Sequence, residues 1–186
     1  MIDQITRALD MSAVIVKGIA DDHLGAPSLC PGWTVRVELN HLVGGMRIFA
    51  AELSGTDAGA AHEDDWLGAD HRAAYTTAAD LDRAAWQRPG AMAGSVRLGF
   101  GVLPAPMAAL VHLTEVLVHG ADLALVTGQE RLVDDEACGR LLATMRGMSF
   151  DDFRRPGMFG PAAPVSADAP DHRRLLAFLG RDLGAR

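Results

Sequence analysis

A chain of 186 residues is long enough for one domain with a sizeable core, and no break in its composition indicates a second. The net charge is −7, and the basic residues, all arginine except Lys17, are scattered along the chain rather than clustered. Such a distribution argues against nucleic acid as a partner. We therefore expect a single domain over residues 1–186 that does not bind nucleic acid.

Hydrophobic periodicity and helix-capping residues predict an α-helical protein. The predicted helices occupy residues 3–20, 34–53, 70–87, 104–127, 134–147 and 171–182. The stretch GSVRLGFGVLP, residues 94–104, has some extended character, but its glycines disfavour a true strand. Four principal helices without a convincing strand predict an all-α helical bundle, with a long irregular segment within residues 148–170.

Residues 101–126 are apolar enough to raise the question of a membrane span. They include two histidines, a glutamate and an aspartate, which are costly in lipid, so we predict a buried helix and no membrane partner.

Cys30 and Cys138 lie far apart in the chain and in no metal-binding spacing. Because the sequence opens without a signal-peptide pattern, we expect a cytoplasmic protein with reduced thiols.

The fourth predicted helix carries its ionisable side chains on one side. At a rotation of about 100° per residue, His112, Glu115, His119 and Asp122 fall within a wedge of roughly 80°, and the remaining surface is almost entirely apolar. One interpretation is a narrow solvated stripe. The other is a metal site, because the i, i+4 spacing of Glu115 and His119 sets two types of metal ligand side by side. Such a site needs a third ligand from elsewhere in the chain.

His41 stands among aliphatic residues of the second predicted helix, in WTVRVELNHLVGG, residues 33–45. Its position admits two interpretations, a core histidine hydrogen-bonded to a backbone carbonyl and a metal ligand. Gly44 and Gly45 lie on the same side of this helix. They allow another helix or a ligand to come close, at some cost in helix stability.

Two sequence blocks carry a family resemblance, CPGWTVRVELNHLVGG at residues 30–45 and HLTEVLVHGADLALVTGQ at residues 112–129. Together they resemble the mycothiol-dependent maleylpyruvate isomerase N-terminal family, which belongs to the wider DinB-like four-helix-bundle metalloproteins. The ending FGPAAPVSADAPDHRRLLAFLGRD, residues 159–182, is similar to a single-domain branch described as metal-binding proteins. The resemblance implies a DinB-like four-helix bundle with additional short helices and a long C-terminal loop.

The resemblance also implies a set of metal ligands. In the family, a histidine of the second helix and the Glu and His of the E-x-x-x-H helix hold the metal, and these match His41, Glu115 and His119. Two imidazoles and a carboxylate leave at least one coordination position open, as in catalytic zinc sites. A divalent metal is therefore implied, with zinc as the first candidate and nickel or iron as alternatives. Asp122 and His112, beside the ligands, are candidates to orient an imidazole, with direct ligation by His112 as an alternative.

The chemistry implied by the resemblance is activation of a low-molecular-weight thiol, such as mycothiol, for attack on a small electrophilic substrate. The chain then resembles a thiol-dependent transferase or an isomerase-like enzyme, and related bundles often form homodimers. The isomerases of the family carry an additional C-terminal domain that contributes to their active site. A chain of 186 residues leaves no room for that domain, which argues against isomerase activity. The alternatives are a non-catalytic metal-binding or ligand-sensing domain, and a buried polar network without metal.

Other candidate residues have simpler explanations. Trp33 is interpreted as a packing residue at a helix start rather than a pocket wall, and Cys30 as an inert thiol because no histidine or basic cluster adjoins it. Arg154 and Arg155 lie in the long loop, where arginines can clamp an anionic substrate, although surface arginines are common. The remaining histidines are predicted to be ordinary surface residues, namely His23, His62, His71 and His172.

Overall fold

The computed structural model describes residues 1–154 and 158–184. Within them the chain forms helices α1 to α6 and strands β1 and β2. In chain order these are α1 (Ile2–Gly18), α2 (Val35–Ser54), α3 (His71–Trp86), β1 (Ser95–Leu98), β2 (Gly101–Pro104), α4 (Ala105–Val126), α5 (Asp135–Arg146) and α6 (Asp171–Phe178). The protein is thus mostly helical, as the all-α prediction requires. Each predicted helix is present, and the bounds agree within about two residues except for α6, which ends at Phe178 rather than at residue 182.

Local capping explains why α2 and α3 begin and end where the sequence predicts. The Thr34 hydroxyl accepts a hydrogen bond from the backbone N–H of Val37 at 3.3 Å, at the start of α2. Gly55 ends α2 in the left-handed conformation, with φ of 68°. The Asp70 carboxylate caps α3 by accepting from two backbone N–H groups. Each cap satisfies backbone groups that have no partner within the helix.

The prediction that residues 94–104 form no strand is wrong. β1 and β2 pair in antiparallel fashion, with Ser95 opposite Pro104 and Leu98 opposite Gly101. Gly99 lies in the turn, and Gly101 is the first residue of β2, where it takes a φ of 143° that other residues rarely adopt. A two-residue connection therefore closes a hairpin whose second strand runs directly into α4.

The four long helices surround a common apolar core. α1 lies against α3 and α4, and α2 also lies against α3 and α4. Among the described residues, α4 is the helix long and apolar enough to cross a membrane, with a mean hydropathy of 1.5 in its most apolar window. However, 72% of that window is buried inside the protein, as in the core helix that the sequence predicts.

The C-terminal helix is attached by a buried histidine. α6 packs on α5, and His172, predicted to be a surface residue, is only 6% exposed. Its Nδ1 lies 2.6 Å from Asp135 Oδ1 and its Nε2 lies 2.7 Å from Glu130 Oε1. The prediction was wrong because Asp135 and Glu130, which lie 37 and 42 positions away in the sequence, supply the carboxylates that compensate for burial of the imidazole.

Glu130→Gln is expected to lower the free energy of unfolding at neutral pH. The hydrogen bond from Arg173, with a second one from His172, lowers the pKa of Glu130 from 4.5 to about 2. A carboxyl with a lowered folded-state pKa stabilises the fold fully above about 4.5, and this contribution is lost as the pH falls towards about 2. Urea unfolding across this range measures the difference, with Glu63→Gln in an exposed loop as the control. A difference that stays constant into acid would contradict the assignment.

The long segment after α5 is held down by Arg154. Its guanidinium donates to the backbone carbonyl of Phe178 at 3.0 Å and lies 5.1 Å above the Phe150 ring and 4.8 Å above the Phe178 ring. Arg154 therefore fastens the loop to α6. Arg155, the other arginine considered as a substrate clamp, lies outside the described residues.

Candidate metal centre

The structure brings together the three residues predicted to bind metal. His41 Nε2, on α2, lies 3.0 Å from Glu115 Oε2 on α4, and His119 Nε2 lies 3.3 Å from the same oxygen. The three donor atoms all lie within 4.8 Å of one another. The side chains of His41 and Glu115 are 28% and 35% exposed, while that of His119 is 9% exposed. The cluster is thus open to solvent on one side and enclosed on the other.

A fourth residue, Glu38, lies behind the cluster and was missed by the sequence analysis. Its Oε1 accepts a hydrogen bond from His119 Nδ1 at 2.8 Å, and the residue is fully buried. This bond orients the imidazole so that Nε2 faces His41 and Glu115. The available signal was spacing, because Glu38 precedes His41 by three residues and so shares its side of α2.

Asp122 and Cys30 complete the rear of the site. Asp122 Oδ2 lies 3.6 Å from His119 Nδ1, in keeping with the orienting position considered for it. The expectation that no histidine or basic group adjoins Cys30 is wrong, since its Sγ lies 4.0 Å from His119 Nδ1 and 3.6 Å from Arg181 Nη2. These neighbours are far away in sequence and were therefore invisible to local reasoning.

The pKa values follow from burial and these contacts. Burial raises the pKa of Glu115, but hydrogen bonds from His119 and His41 outweigh it and hold the pKa well below its usual value. Burial lowers the pKa of His41. For His119, burial lowers the pKa, but hydrogen bonds to its acidic and thiol neighbours raise it well above the usual value. Burial raises the pKa of the Cys30 thiol, so proximity to His119 does not make it a nucleophile.

His112 does not take part in this cluster, although the sequence placed it in the same wedge of α4. Its Nε2 lies 2.7 Å from Asp82 Oδ2 on α3, and both side chains are buried. Its ring packs 4.3 Å from Phe49 and 5.7 Å from Trp86, measured between centroids. The ring lies one turn before Glu115 and meets α3 instead of the metal candidates, so neither an orienting role nor direct ligation fits it.

Aromatic rings from two loops lie beside the half-exposed side of the cluster. The Trp33 ring lies 5.0 Å from the His41 ring and 6.1 Å from the His119 ring, so Trp33 forms a wall of the site as well as a helix start. The His62 ring lies 4.5 Å from the His41 ring, and its Nε2 is 3.1 Å from the His41 carbonyl oxygen. The prediction of an ordinary surface residue is wrong for His62, and also for the buried His71.

Residues 5–124 match the family model of the mycothiol maleylpyruvate isomerase N-terminal domain. The chain belongs to this family. It is also 32% identical over 176 residues to two uncharacterized proteins of Mycobacterium tuberculosis, from strains CDC 1551 / Oshkosh and H37Rv, with 94% of this chain and of each relative covered. No solved structure matches the chain significantly. The family predicted from the sequence is therefore confirmed.

In this member of the mycothiol maleylpyruvate isomerase N-terminal family, a loop packs directly onto α2 beside His41. A Cβ added to Gly44 would lie 2.6 Å from Trp66 Cδ1, whereas one on Gly45 would lie 3.8 Å from the nearest atom, Nε2 of His62. Asn40 fastens the same loop, because its Oδ1 accepts from the backbone N–H of Trp66 at 2.8 Å. The glycine pair thus permits a close approach, as predicted, but it is a loop that approaches.

Gly44→Ala is expected to displace the Trp66 indole and to destabilise the fold relative to Gly45→Ala. Alanine stabilises a helix interior by about 1 kcal/mol relative to glycine, so Gly45→Ala should be neutral or stabilising. At Gly44 the clash with Trp66 opposes that gain. Urea unfolding together with tryptophan fluorescence separates the two variants. Equal stability and equal emission spectra would show that the loop does not need the glycine.

Proposed function

We propose that the protein binds a divalent metal through His41, Glu115 and His119 and acts as a thiol-dependent transferase or isomerase-like enzyme on a small electrophile. The observation that supports this most directly is the convergence of two imidazole nitrogens and one carboxylate oxygen within 4.8 Å. Membership of a mycothiol-related family supports the choice of a low-molecular-weight thiol, such as mycothiol, as co-substrate.

The donor set fits a catalytic rather than a structural metal. Three protein ligands leave at least one coordination position open, and the half-exposed His41 and Glu115 lie on the side from which a thiol can enter. Zinc suits two imidazoles and a carboxylate, with nickel or iron as alternatives. The hydrogen bond from His119 Nδ1 to Glu38 supplies the outer support that such ligands usually have.

Held by His41, Glu115 and His119, a divalent metal would lower the pKa of a bound thiol or water and so would supply a nucleophile at neutral pH. Other residues of the chain orient the ligands and line the site. Glu38 keeps His119 in one tautomer, and Trp33 presents an apolar wall beside the two imidazoles. A thiolate activated in this way would form a C–S bond to the electrophilic carbon of the substrate. With a haloarene the carbon–halogen bond would break and halide would leave, and with an epoxide the ring C–O bond would break and the alkoxide would take up a proton. An isomer would result if the thiolate added to a double bond and the C–S bond broke again after rotation about the intervening single bond.

Metal analysis of protein purified without added metal or an affinity tag tests the first half of the proposal. We expect stoichiometric metal in the wild type. Absence of metal under every loading condition would overturn the proposed site and favour a buried polar network.

Turnover tests the second half. Loss of a haloarene or an epoxide is followed with a panel of low-molecular-weight thiols, with and without metal. We expect metal-dependent turnover above the background reaction. If metal binds and the whole panel is silent, the protein is a non-catalytic metal-binding or ligand-sensing domain instead.

We further propose that α1 to α4 form the DinB-like four-helix bundle of the wider family, since α1 and α2 each contact both α3 and α4. The homodimer and the cytoplasmic location stay predictions. Sedimentation of the purified protein tests the first, and fractionation of the source cells tests the second.

A further inference from the structure

The Nδ1 side of the His119 ring faces a buried cluster that the proposed metal ligation does not use. Glu38 Oε1 lies 2.8 Å from Nδ1, Asp122 Oδ2 lies 3.6 Å from it and Cys30 Sγ lies 4.0 Å from it. Both carboxylates are fully buried. Among the described residues, Glu38 Oε2 and Asp122 Oδ1 have no hydrogen-bond partner. Two neighbouring buried carboxylates repel each other and are costly unless a cation neutralises them.

Arg181 provides that cation. Its Nη2 and Nε lie 2.9 Å and 3.1 Å from Asp122 Oδ2, and its Nη2 lies 3.6 Å from Cys30 Sγ. The residue is 8% exposed, and within the described part of the chain no other arginine or lysine contacts this cluster. The donors of Cys30, Glu38, His119 and Asp122 lie close enough to hold a second metal. A guanidinium already bound to Asp122 argues against a second cation there, because like charges repel.

The sequence FLGR places Arg181 at the site through a glycine turn at the end of α6. Gly180 has a φ of 89°, its N–H donates to Ala177 O at 3.0 Å, and the N–H of Arg181 donates to Leu176 O at 3.0 Å. These two bonds form a Schellman motif, which fixes the direction in which the chain leaves the helix. A Cβ on Gly180 would lie 2.9 Å from Gly160 Cα, so the turn also depends on a close contact with the long loop.

We infer that Arg181 is a positioning residue of the metal centre, acting through Asp122 on His119. The guanidinium holds Asp122 beside the imidazole and neutralises the carboxylates, so that Glu38 and Asp122 keep His119 Nε2 directed at His41 and Glu115. The family match ends at residue 124, so Arg181 belongs to a segment beyond the matched domain. The inference rests on the proposed metal site.

The test compares metal affinity in the wild type, Arg181→Met and Arg174→Met. Arg174 lies on α6, shortly before Arg181 in the chain, pairs with Asp171 at 2.8 Å and is the matched control. Zinc affinity is measured by competition with a chromophoric chelator, and ligand geometry by the visible spectrum of the cobalt-loaded protein. We expect Arg181→Met to bind one metal with about 10–100-fold lower affinity and a shifted cobalt spectrum. Arg174→Met should match the wild type, and Arg181→Lys should recover part of the affinity.

Wild-type affinity and an unchanged cobalt spectrum in folded Arg181→Met would overturn the inference. If Arg181→Met does not fold, the nearly isosteric Asp122→Asn is measured instead. We expect the same loss of metal affinity, and an unchanged affinity in Asp122→Asn would likewise overturn the inference. If the wild type binds no metal at all, the proposed function fails, and the positioning role is decided separately. In that case the ¹⁵N shift of His119 Nδ1 at one fixed pH must differ between the wild type and Arg181→Met, and an unchanged shift overturns the role.

Discussion

His119→Ala is expected to abolish metal binding and also to destabilise the metal-free fold, whereas His41→Ala should abolish metal binding with little loss of stability. The contrast follows from burial. The His119 side chain is 9% exposed and pairs with the fully buried Glu38, whereas the His41 side chain is 28% exposed. Removing one partner of a buried pair costs about 3–5 kcal/mol, because the other charge stays buried without compensation.

Metal content per chain and urea unfolding in the presence of a chelator measure both effects. The chelator is needed because metal binding would itself stabilise the wild type and enlarge the apparent loss. Retention of stoichiometric metal by His119→Ala would remove it from the ligand set. Equal destabilisation by the two substitutions would instead show that the Glu38 contact contributes no special stability.

Asp82→Ala is expected to lower the free energy of unfolding by about 3–5 kcal/mol while leaving metal content unchanged. Asp82 Oδ2 lies 2.7 Å from His112 Nε2, both side chains are buried, and the imidazole packs against Phe49 and Trp86. Without Asp82 the ring would keep its polar nitrogens in an apolar pocket. Metal is unaffected because His112 stands apart from His41, Glu115 and His119.

Urea unfolding and metal analysis of the same preparation check this result. Asp80→Ala, at an exposed position of α3, is the control and should change neither quantity. Loss of metal in Asp82→Ala, with the fold retained, would bring His112 back as a metal ligand or as a residue that orients one.

The helices were predictable because their signals are local. Thr34, Asp70 and Gly55 cap helices through atoms only a few residues away, and the apolar periodicity of each helix needs no knowledge of its neighbours. The hairpin was missed for a local reason too. Glycine disfavours the interior of a strand, whereas Gly99 lies in the turn and Gly101 is the first residue of β2.

The trio proposed to bind metal could be predicted only in part from the residues themselves. The i, i+4 spacing of Glu115 and His119 is visible in the sequence, but the family resemblance was needed to single out His41. Glu38 and Arg181 were missed, because what identifies them is a contact with a residue 81 positions away and another 59 positions away. In the sequence, Glu38 cannot be told from an ordinary surface glutamate of a helix. Its spacing from His41 shows which side of α2 it lies on, but not that its partner is His119.

The close approach of Trp66 to Gly44 has a consequence for protein design. Grafting the three proposed donor residues onto another helical scaffold would transfer the candidate site without the ring of His62 that packs beside His41. That ring reaches its place because the loop from 61 to 66 lies flat on a helix that has no side chain at Gly44. The face of α2 and the loop from 61 to 66 would therefore have to be transplanted together, with Asn40 included because it hydrogen-bonds the loop backbone.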